Sequence, residues 1–256
     1  MAGTKSKYVR NVLNFYDRGL NSAFPLGVWA DCPLQAIAAD PSIAFTFFED
    51  FTGPMQGGVT ATTNLDGWTV TQAGAAGAVN LLNEAGGILE IDAVSTTVTQ
   101  GLNVQATESV IFTPASGKDI WFETRIRVDE ALTAELFIGL SEADTAIIDG
   151  SANASASHIG WQCVTDDGVL LFSSEKASTG ATKASNTLAE DTFVRLAFKV
   201  NGVTDIEFWI DGVKSSLTHV TAEIPTVAMC ASYVCQSDGT QDPVVGVDYV
   251  KIVQLR

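Results

Sequence analysis

The pattern of hydrophobic and polar residues favours β-strands over most of the chain. From about Phe45 onward, short alternating stretches are separated by clusters of Gly, Asn, Asp and Ser, and the i, i+3, i+4 spacing of amphipathic helices is scarce. The clearest stretch is 120–128, where Phe122 and Ile126 fall on one face and charged residues fall between them. The pattern predicts antiparallel strands that bury one face each.

Two chain reversals are predicted close together. Asn201-Gly202 is expected to form a two-residue turn after a strand at 193–200, and Asp211-Gly212 a second turn after the returning strand. Both dipeptides suit type I′ turns, which need positive φ at both central positions. Further strands are predicted at 134–140, 158–164, 168–173, 227–235 and 247–253, and loops at 151–157 and 180–189.

Residues 1–44 differ in kind from the remainder, so we expect an N-terminal arm (1–44) and a sandwich domain (45–256). A short helical turn is expected at 7–13, and three prolines interrupt regular structure further on. The arm holds too many large apolar side chains for a solvated linker, so they need a surface to pack on. The residues expected to contact a partner are Lys5, Lys7, Tyr8, Arg10, Phe15, Tyr16, Arg18, Phe24 and Trp29.

Charge is also unevenly distributed along the chain. The formal net charge is −16, yet the first 20 residues carry four Lys or Arg against one Asp, a net +3, which leaves −19 for the rest. Such asymmetry is typical of docking onto acidic surfaces. Because the body lacks a predicted basic patch, we expect no nucleic-acid partner.

The remaining composition narrows the classes further. Four cysteines without CxxC spacing or nearby histidine pairs indicate reduced, buried thiols rather than a zinc site. No signal-peptide pattern opens the sequence and no apolar run approaches the roughly 18 residues that span a bilayer. We therefore expect synthesis in a cytoplasm and no membrane insertion.

Six segments together resemble a known family. They are 121–128 (WFETRIRV), 137–140 (FIGL), 158–161 (HIGW), 193–196 (FVRL), 208–213 (FWIDGV) and 248–252 (DYVKI). Residues 45–256 resemble the concanavalin A-like lectin/glucanase jelly roll, particularly versions found in structural proteins of tailed-bacteriophage virions. The resemblance implies an all-β fold of two antiparallel sheets, whose concave face holds sugar in lectins and glucanases. In phage versions it implies a decoration or appendage module that attaches through an N-terminal arm.

One acidic string and two histidines are the candidates for catalysis. Glu90-Ile91-Asp92 is similar to the acidic catalytic motif of the laminarinase-like members, but those enzymes need a further acid on the same strand face, and Ala93, Val94 and Ser95 follow. The two histidines, His158 and His219, lack a motif context; His158 is expected at a strand end and His219 in solvent. We assign no catalytic residue and expect no enzyme activity.

Two Asp-Gly strings and one tryptophan are the candidates for ligand binding. Asp166-Asp167-Gly168 and Asp238-Gly239 supply oxygen atoms for calcium, but neither matches a complete coordination loop, so both are interpreted as turns and no metal or cofactor is expected. Trp209, which alternation places opposite Phe208, is the candidate for glycan binding.

The sequence therefore predicts a virion structural protein, most simply a capsid decoration protein attached through its arm to the major capsid protein or to sister subunits in a symmetric homo-oligomer. The alternative is a carbohydrate-binding appendage for host-surface attachment.

Overall fold

The structure is a computed structural model that describes residues 5–9, 12–16, 27–52, 59–60, 67–74, 77–82, 84, 86–107, 111–147, 157–164, 167–177 and 179–256. Its strands are β1 (Lys5–Val9), β2 (Val12–Tyr16), β3 (Ala44–Glu49), β4 (Val59–Thr60), β5 (Thr69–Ala73), β6 (Ala78–Leu82), β7 (Ile88–Asp92), β8 (Gly101–Gln105), β9 (Ile120–Val128), β10 (Ala134–Ser141), β11 (His158–Cys163), β12 (Val169–Lys176), β13 (Thr179–Thr187), β14 (Val194–Asn201), β15 (Asp205–Ile210), β16 (Val213–Lys214), β17 (His219–Val220), β18 (Cys230–Ser237) and β19 (Val244–Leu255). The helical elements are α1 (Leu34–Ala39) and two 3-10 helices, Gly27–Ala30 and Thr221–Glu223.

Two antiparallel sheets form a sandwich. The seven-stranded sheet has the order β13-β12-β11-β10-β18-β8-β5, and the ten-stranded sheet the order β16-β15-β14-β9-β19-β7-β6-β4, with β17 on β15 and β3 on β19. Strands β1 and β2 form a separate two-stranded sheet. The all-β, two-sheet jelly roll predicted from the alternation is confirmed.

The core lies between the two sheets and is built from the predicted inward positions. Phe122 stacks on Phe198 with ring centroids 4.6 Å apart, and Phe172 of the opposite sheet stacks on Phe208 at 4.5 Å. Trp161 meets Phe208 edge-on at 5.4 Å. These rings join β9, β14 and β15 to β11 and β12, so aromatic contacts hold the two layers in register.

The two predicted turns have different outcomes. Asp211-Gly212 is a two-residue turn with φ of 49° and 79°, and Ile210 pairs with Val213 across it. The first reversal is longer than predicted, because Asn201 pairs with Asp205 and residues 202–204 form the loop. Gly202 supplies the positive φ of 56°, so the dipeptide marks the reversal but not its length.

Two other local predictions were wrong. The stretch 180–189 was predicted as a loop from its small polar residues, but most of it belongs to strand β13. This strand lies at the edge of the seven-stranded sheet, where a strand can contain polar side chains that face solvent. The expected helical turn at 7–13 is a β-hairpin, in which Tyr8 pairs with Leu13. Its β-branched and aromatic residues explain the preference for strands.

Candidate interaction surfaces

The chain between Gly27 and Ile43, called the docked segment below, packs on the outer face of the ten-stranded sheet. Its buried Val28 joins a second apolar cluster with Trp121, Trp209 and Val253, separate from the core between the sheets. The partly buried side chains of the docked segment that pack against this cluster are Trp29, Cys32, Leu34, Ile37 and Ile43. Burying two tryptophans and a valine contributes several kcal/mol, at roughly 25 cal/mol per Å² of apolar area.

The fold of the docked segment follows from its prolines. Pro33 precedes α1, and the helix ends before Pro41, with Asp40 as its C-cap. A proline at the start of a helix lacks a backbone N–H, but that N–H would have no acceptor within the helix. The residue before a proline disfavours the helical conformation, which explains why α1 ends before Pro41. The prolines that were expected only to break structure thus set the bounds of a single short helix.

Asp31 fastens the docked segment to the sheet. One of its carboxylate oxygens accepts a hydrogen bond of 2.9 Å from Trp121 Nε1, and the other binds Lys199 Nζ. Burial alone would raise the pKa of Asp31, but the hydrogen bonds from Lys199 and Trp121 outweigh it and lower the pKa. Burial likewise opposes the charge on Lys199, and the contact with Asp31 raises the lysine pKa. Both groups are therefore ionised at neutral pH.

Trp29 and Trp209 lie elsewhere than predicted. Trp29, expected to contact a partner, packs on the chain's own sheet with Lys251 Nζ 4.4 Å from its ring centroid. Trp209, the glycan candidate, is only 8% exposed because the docked segment covers it. Sugar stacking needs an open aromatic face, so the prediction of glycan binding at Trp209 was wrong and this side chain is a packing residue.

The other residues expected to contact a partner lie nearer the start of the chain. The backbone of β1 and β2 contains Lys5, Lys7, Tyr8, Phe15 and Tyr16, whereas Arg10, Arg18 and Phe24 lie outside the described residues. Residues directly opposite one another in an antiparallel pair share a face. In the backbone register of the hairpin, Ser6 is opposite Phe15, Tyr8 is opposite Leu13, Lys5 is opposite Tyr16 and Lys7 is opposite Asn14.

Beyond the docked segment, the outer face of the ten-stranded sheet carries paired charges. Arg125 Nη1 lies 2.7 Å from Asp248 Oδ2, and its guanidinium lies 4.0 Å from the ring centroid of Phe193. Tyr249 donates a 2.9 Å hydrogen bond to Glu123, which also faces Arg195 at 3.9 Å. Since these cations each face an acid, this surface offers mixed charge and not a basic patch.

The acidic string Glu90-Ile91-Asp92 lies on β7, in the ten-stranded sheet. Glu90 accepts a 3.2 Å hydrogen bond from Asn80, and Asp92 accepts one of 2.8 Å from the backbone of Val94. Burial raises the pKa of Asp92, and the nearby carboxylates of Asp242, Glu90 and Asp129 add to the rise. The strand ends at Asp92 and Val94 has a φ of 48°, so the place of a third acid on this strand face is lost.

A second covering element lies on the centre of the seven-stranded sheet. Residues 142–147, called the strap below, run from the end of β10 across β8, and Ile147 is buried with Phe137, Val164 and Val234. At the base of the strap, Glu142 and Ser157 exchange a backbone hydrogen bond of 3.0 Å and a side-chain one of 3.1 Å. The sheet face beneath it is polar and buried.

Gln105 is the hub of that polar face. Its amide nitrogen lies 3.0 Å from Ser141 Oγ, 2.9 Å from Ser232 Oγ and 3.0 Å from the carbonyl oxygen of Glu142, so its two hydrogens are shared among three acceptors. Its carbonyl oxygen accepts from the backbone of Asp144 at 3.0 Å. A buried polar face of this kind is stable only when its groups are bonded to one another, and the strap supplies those partners.

Both histidines and three of the four cysteines are buried, and Cys32 is partly buried. His158 Nε2 lies 2.9 Å from Ser173 Oγ. His219, expected in solvent, is 0% exposed and lies 2.9 Å from Glu223, so that expectation was wrong. The four cysteines are free thiols, and burial raises the pKa of Cys32 to about 11, which keeps it protonated.

The described part of the chain contains no group of three or more His, Cys, Asp or Glu that could hold a metal ion. Asp238-Gly239 forms a turn with a φ of 101° at Gly239, and Gly168 has a φ of 65°, as the turn interpretation requires; Asp166 lies outside the described residues. No helix in the described ranges is long and apolar enough to cross a membrane.

Solved structures share the fold at low sequence identity. A protein of unknown function from Shewanella oneidensis matches with a TM-score of 0.55 and 16% identity, over 84% of this chain and 87% of that chain. Peanut lectin matches with a TM-score of 0.54 and 7% identity, over 83% and 98%. A glycoside hydrolase family 16 endo-glucanase from Bacteroides ovatus matches with a TM-score of 0.54 and 11% identity, over 80% and 99%.

These likenesses show the fold alone, since one fold hosts many unrelated activities. No family model and no curated protein matches the chain. The class defined here is thus a concanavalin A-like jelly roll. Within that class, this chain has the docked segment over one outer face and the strap over the other.

Sequence reasoning missed the residues that hold these covers. Asp31 and Gln105 were not singled out, although Asp31 lies between Trp29 and Pro33, and Gln105 alternates with Leu102 and Val104 in β8. The two amides on the outer side of β8, Asn103 and Gln105, are the only local signal of a covered polar face. Their partners lie too far along the chain for spacing to reveal them.

Proposed function

We propose that this protein is a structural component of a larger assembly, which it joins through the residues that precede the docked segment. The form expected from the family resemblance is a capsid decoration protein of a tailed-phage virion, attached to the shell or to sister subunits. The jelly roll then acts as a rigid acidic body, and the terminal hairpin (β1 and β2) acts as the attachment element.

One observation carries this proposal. The docked segment is fixed to the body through Asp31, Lys199 and Trp121, while the chain before it forms its own two-stranded sheet. A fixed base gives the preceding residues a defined point of departure, which reduces the conformational entropy lost when they bind. Many weak attachments of this kind on one particle add up through avidity.

The covered faces also support binding through the N-terminus over sugar chemistry. Trp209 is buried under the docked segment, and the centre of the seven-stranded sheet is buried under the strap. Carbohydrate sites in proteins are open concave surfaces with accessible polar and aromatic groups. Both outer faces are filled at these positions by the chain itself.

The test compares the full chain with a variant that starts at Gly27, so that the docked segment stays in place. We expect the shortened protein to keep its melting temperature and to lose co-sedimentation with shells of the major capsid protein, together with self-association. Co-sedimentation and self-association equal to those of the full chain would overturn the proposal. Glycan-array binding by the shortened protein would instead favour the carbohydrate-binding alternative.

A further inference from the structure

A groove opens between the edges of the two sheets. It has a volume of about 380 Å³ and lies between Asn186 on β13 and Phe208 and Ile210 on β15. Val213 and Lys214 of β16 form its outer wall. This edge groove gives direct access to aromatic and aliphatic side chains at the border of the core.

The wall of the edge groove presents aliphatic side chains to its surroundings. Val213 is 70% exposed, and Ile210, which also lines the groove, is only partly buried. Single exposed aliphatic side chains are ordinary on protein surfaces, whereas adjoining ones mark interaction sites. The groove therefore offers apolar surface to a partner.

The docked segment begins beside this groove. Gly27 has a φ of 55°, and a Cβ built on it would lie 3.5 Å from the Cα of Gly212, in the turn that leads into β16. The 3-10 helix Gly27–Ala30 contacts both β15 and β16. Gly27 thus lies at the same sheet edge that carries Val213.

Two sheet edges complement one another here. Strand β13 is nine residues long and is terminal in the seven-stranded sheet, so its outward backbone groups have no neighbouring strand in the sheet. The terminal hairpin has two strands of five residues that pair only with each other. An isolated two-stranded hairpin is marginally stable in water, and adding to an existing edge removes that weakness.

We propose that the edge groove of one copy receives the terminal hairpin of a second copy, which extends the seven-stranded sheet next to β13. This inference rests on the proposed function and names the acceptor for the attachment element. One strand of the hairpin pairs with the free edge of β13, and the hairpin as a whole covers Val213 and the groove.

Charge and geometry favour a second copy as the occupant. The first 20 residues carry +3 and the rest of the chain −19, so an arm is attracted to the body of a neighbour. Because Gly27, where the docked segment begins, lies beside the groove, two copies related by a two-fold axis can exchange their terminal hairpins reciprocally. In the single chain the hairpin pairs with itself and β13 remains terminal, which leaves both available for this exchange.

The experiment measures the mass of the full-length protein by light scattering after size exclusion, over a range of concentrations. Four proteins are compared: the unchanged chain, the chain starting at Gly27, Val213→Lys, and Val98→Lys as the matched control. Val98 is 55% exposed and lies outside the groove lining, so its substitution makes the same chemical change elsewhere. Thermal melting of each protein confirms that it is folded.

We expect the unchanged chain and Val98→Lys to reach twice the 27.0 kDa chain mass. The shortened chain and Val213→Lys should stay at the single-chain mass, with a loss of affinity of tenfold or more for Val213→Lys. A Val213→Lys dimer as tight as the unchanged one, beside a monomeric shortened chain, would place the acceptor elsewhere while leaving the proposed function intact. A shortened chain that dimerises normally, or a monomeric unchanged chain, would overturn the exchange, whereas the proposed function falls only if the shortened chain also co-sediments with shells as the full chain does.

Discussion

At the scale of single residues, Asp31 is the contact on which the docked segment depends most. It is the only described carboxylate that binds both Trp121 Nε1 and Lys199 Nζ, and Lys199 is largely buried with Asp119 3.6 Å away. Removing one partner of a partly buried charged contact costs more than the contact itself contributes, because the other partner remains desolvated.

We therefore expect Asp31→Ala to lower the free energy of unfolding by about 1–3 kcal/mol. Urea denaturation followed by tryptophan fluorescence measures the change, since Trp121 and Trp209 lie under the docked segment. Asp40→Ala is the control, because Asp40 only caps the exposed turn at Ser42. An equal loss in both variants would show that Asp31 has no special role.

His219 gives the stability a predictable dependence on pH. Burial lowers its pKa below 6.5, an effect that the charge of Glu223 opposes and that of Lys183 reinforces, while Phe172 packs edge-on to the ring. Below pH 6.5 the unfolded chain takes up a proton that the folded chain resists. Stability is therefore complete above pH 6.5 and falls as the pH drops from there toward the folded-state pKa.

Denaturation midpoints at a series of pH values from 7.5 to 5 should show this loss. His219→Gln should remove the part of the slope that belongs to the histidine, and Glu223→Gln should extend the loss to lower pH, because the opposing charge is gone. An unchanged slope in His219→Gln would assign the pH dependence to other groups.

At the scale of elements, the strap depends on Gln105. Gln105→Leu keeps the size of the side chain but removes the donor to Ser141 and Ser232 and the acceptor of the Asp144 amide. We expect a loss of about 1–3 kcal/mol in the free energy of unfolding and faster hydrogen exchange at the Asp144 amide. The same substitution at Gln72, half-buried on β5 of the same sheet, should have a smaller effect on both. Exchange at Asp144 that stays slow in Gln105→Leu would contradict this account.

The docked segment behaves as part of the sandwich in a second prediction. Starting the chain at Gly27 should leave the melting temperature within a few degrees, whereas starting it at Ala44 uncovers Trp121, Trp209 and Val253. The second truncation should cost at least about 3 kcal/mol and increase the binding of a hydrophobic dye. Equal melting temperatures for the two truncations would mean that the docked segment contributes little.

Elements were predictable from sequence to the degree that their contacts are local. Strand β9 was predicted at its observed bounds because alternation follows directly from burying one face of a strand. Strand β13 escaped prediction since an edge strand with small polar residues has no alternation to detect. The docked segment and the strap depend on contacts such as Asp31 with Trp121, 90 positions apart, which no local pattern records.

At the scale of the whole molecule, the division of charge makes association sensitive to salt. The first 20 residues carry +3 and the rest of the chain −19, so the two are attracted over distances that ions screen. We expect the dissociation constant of the dimer to rise by roughly threefold to tenfold between 50 and 500 mM sodium chloride, with the association rate changing most. Sedimentation at several salt concentrations measures this, and a salt-independent constant would point to purely apolar contacts.

The position of β19 has a consequence for how the protein is made. This strand lies between β9 and β7 in the ten-stranded sheet and also pairs with β3, yet it is synthesised after every other strand of the sandwich. Until it leaves the ribosome, the halves of that sheet have no strand to join them, and their edges are open to other nascent chains. Completion of that sheet therefore waits for β19 and is governed by long-range pairing that forms slowly. Cells that produce many copies at once must protect the unfinished chains until the twelve residues of β19 emerge.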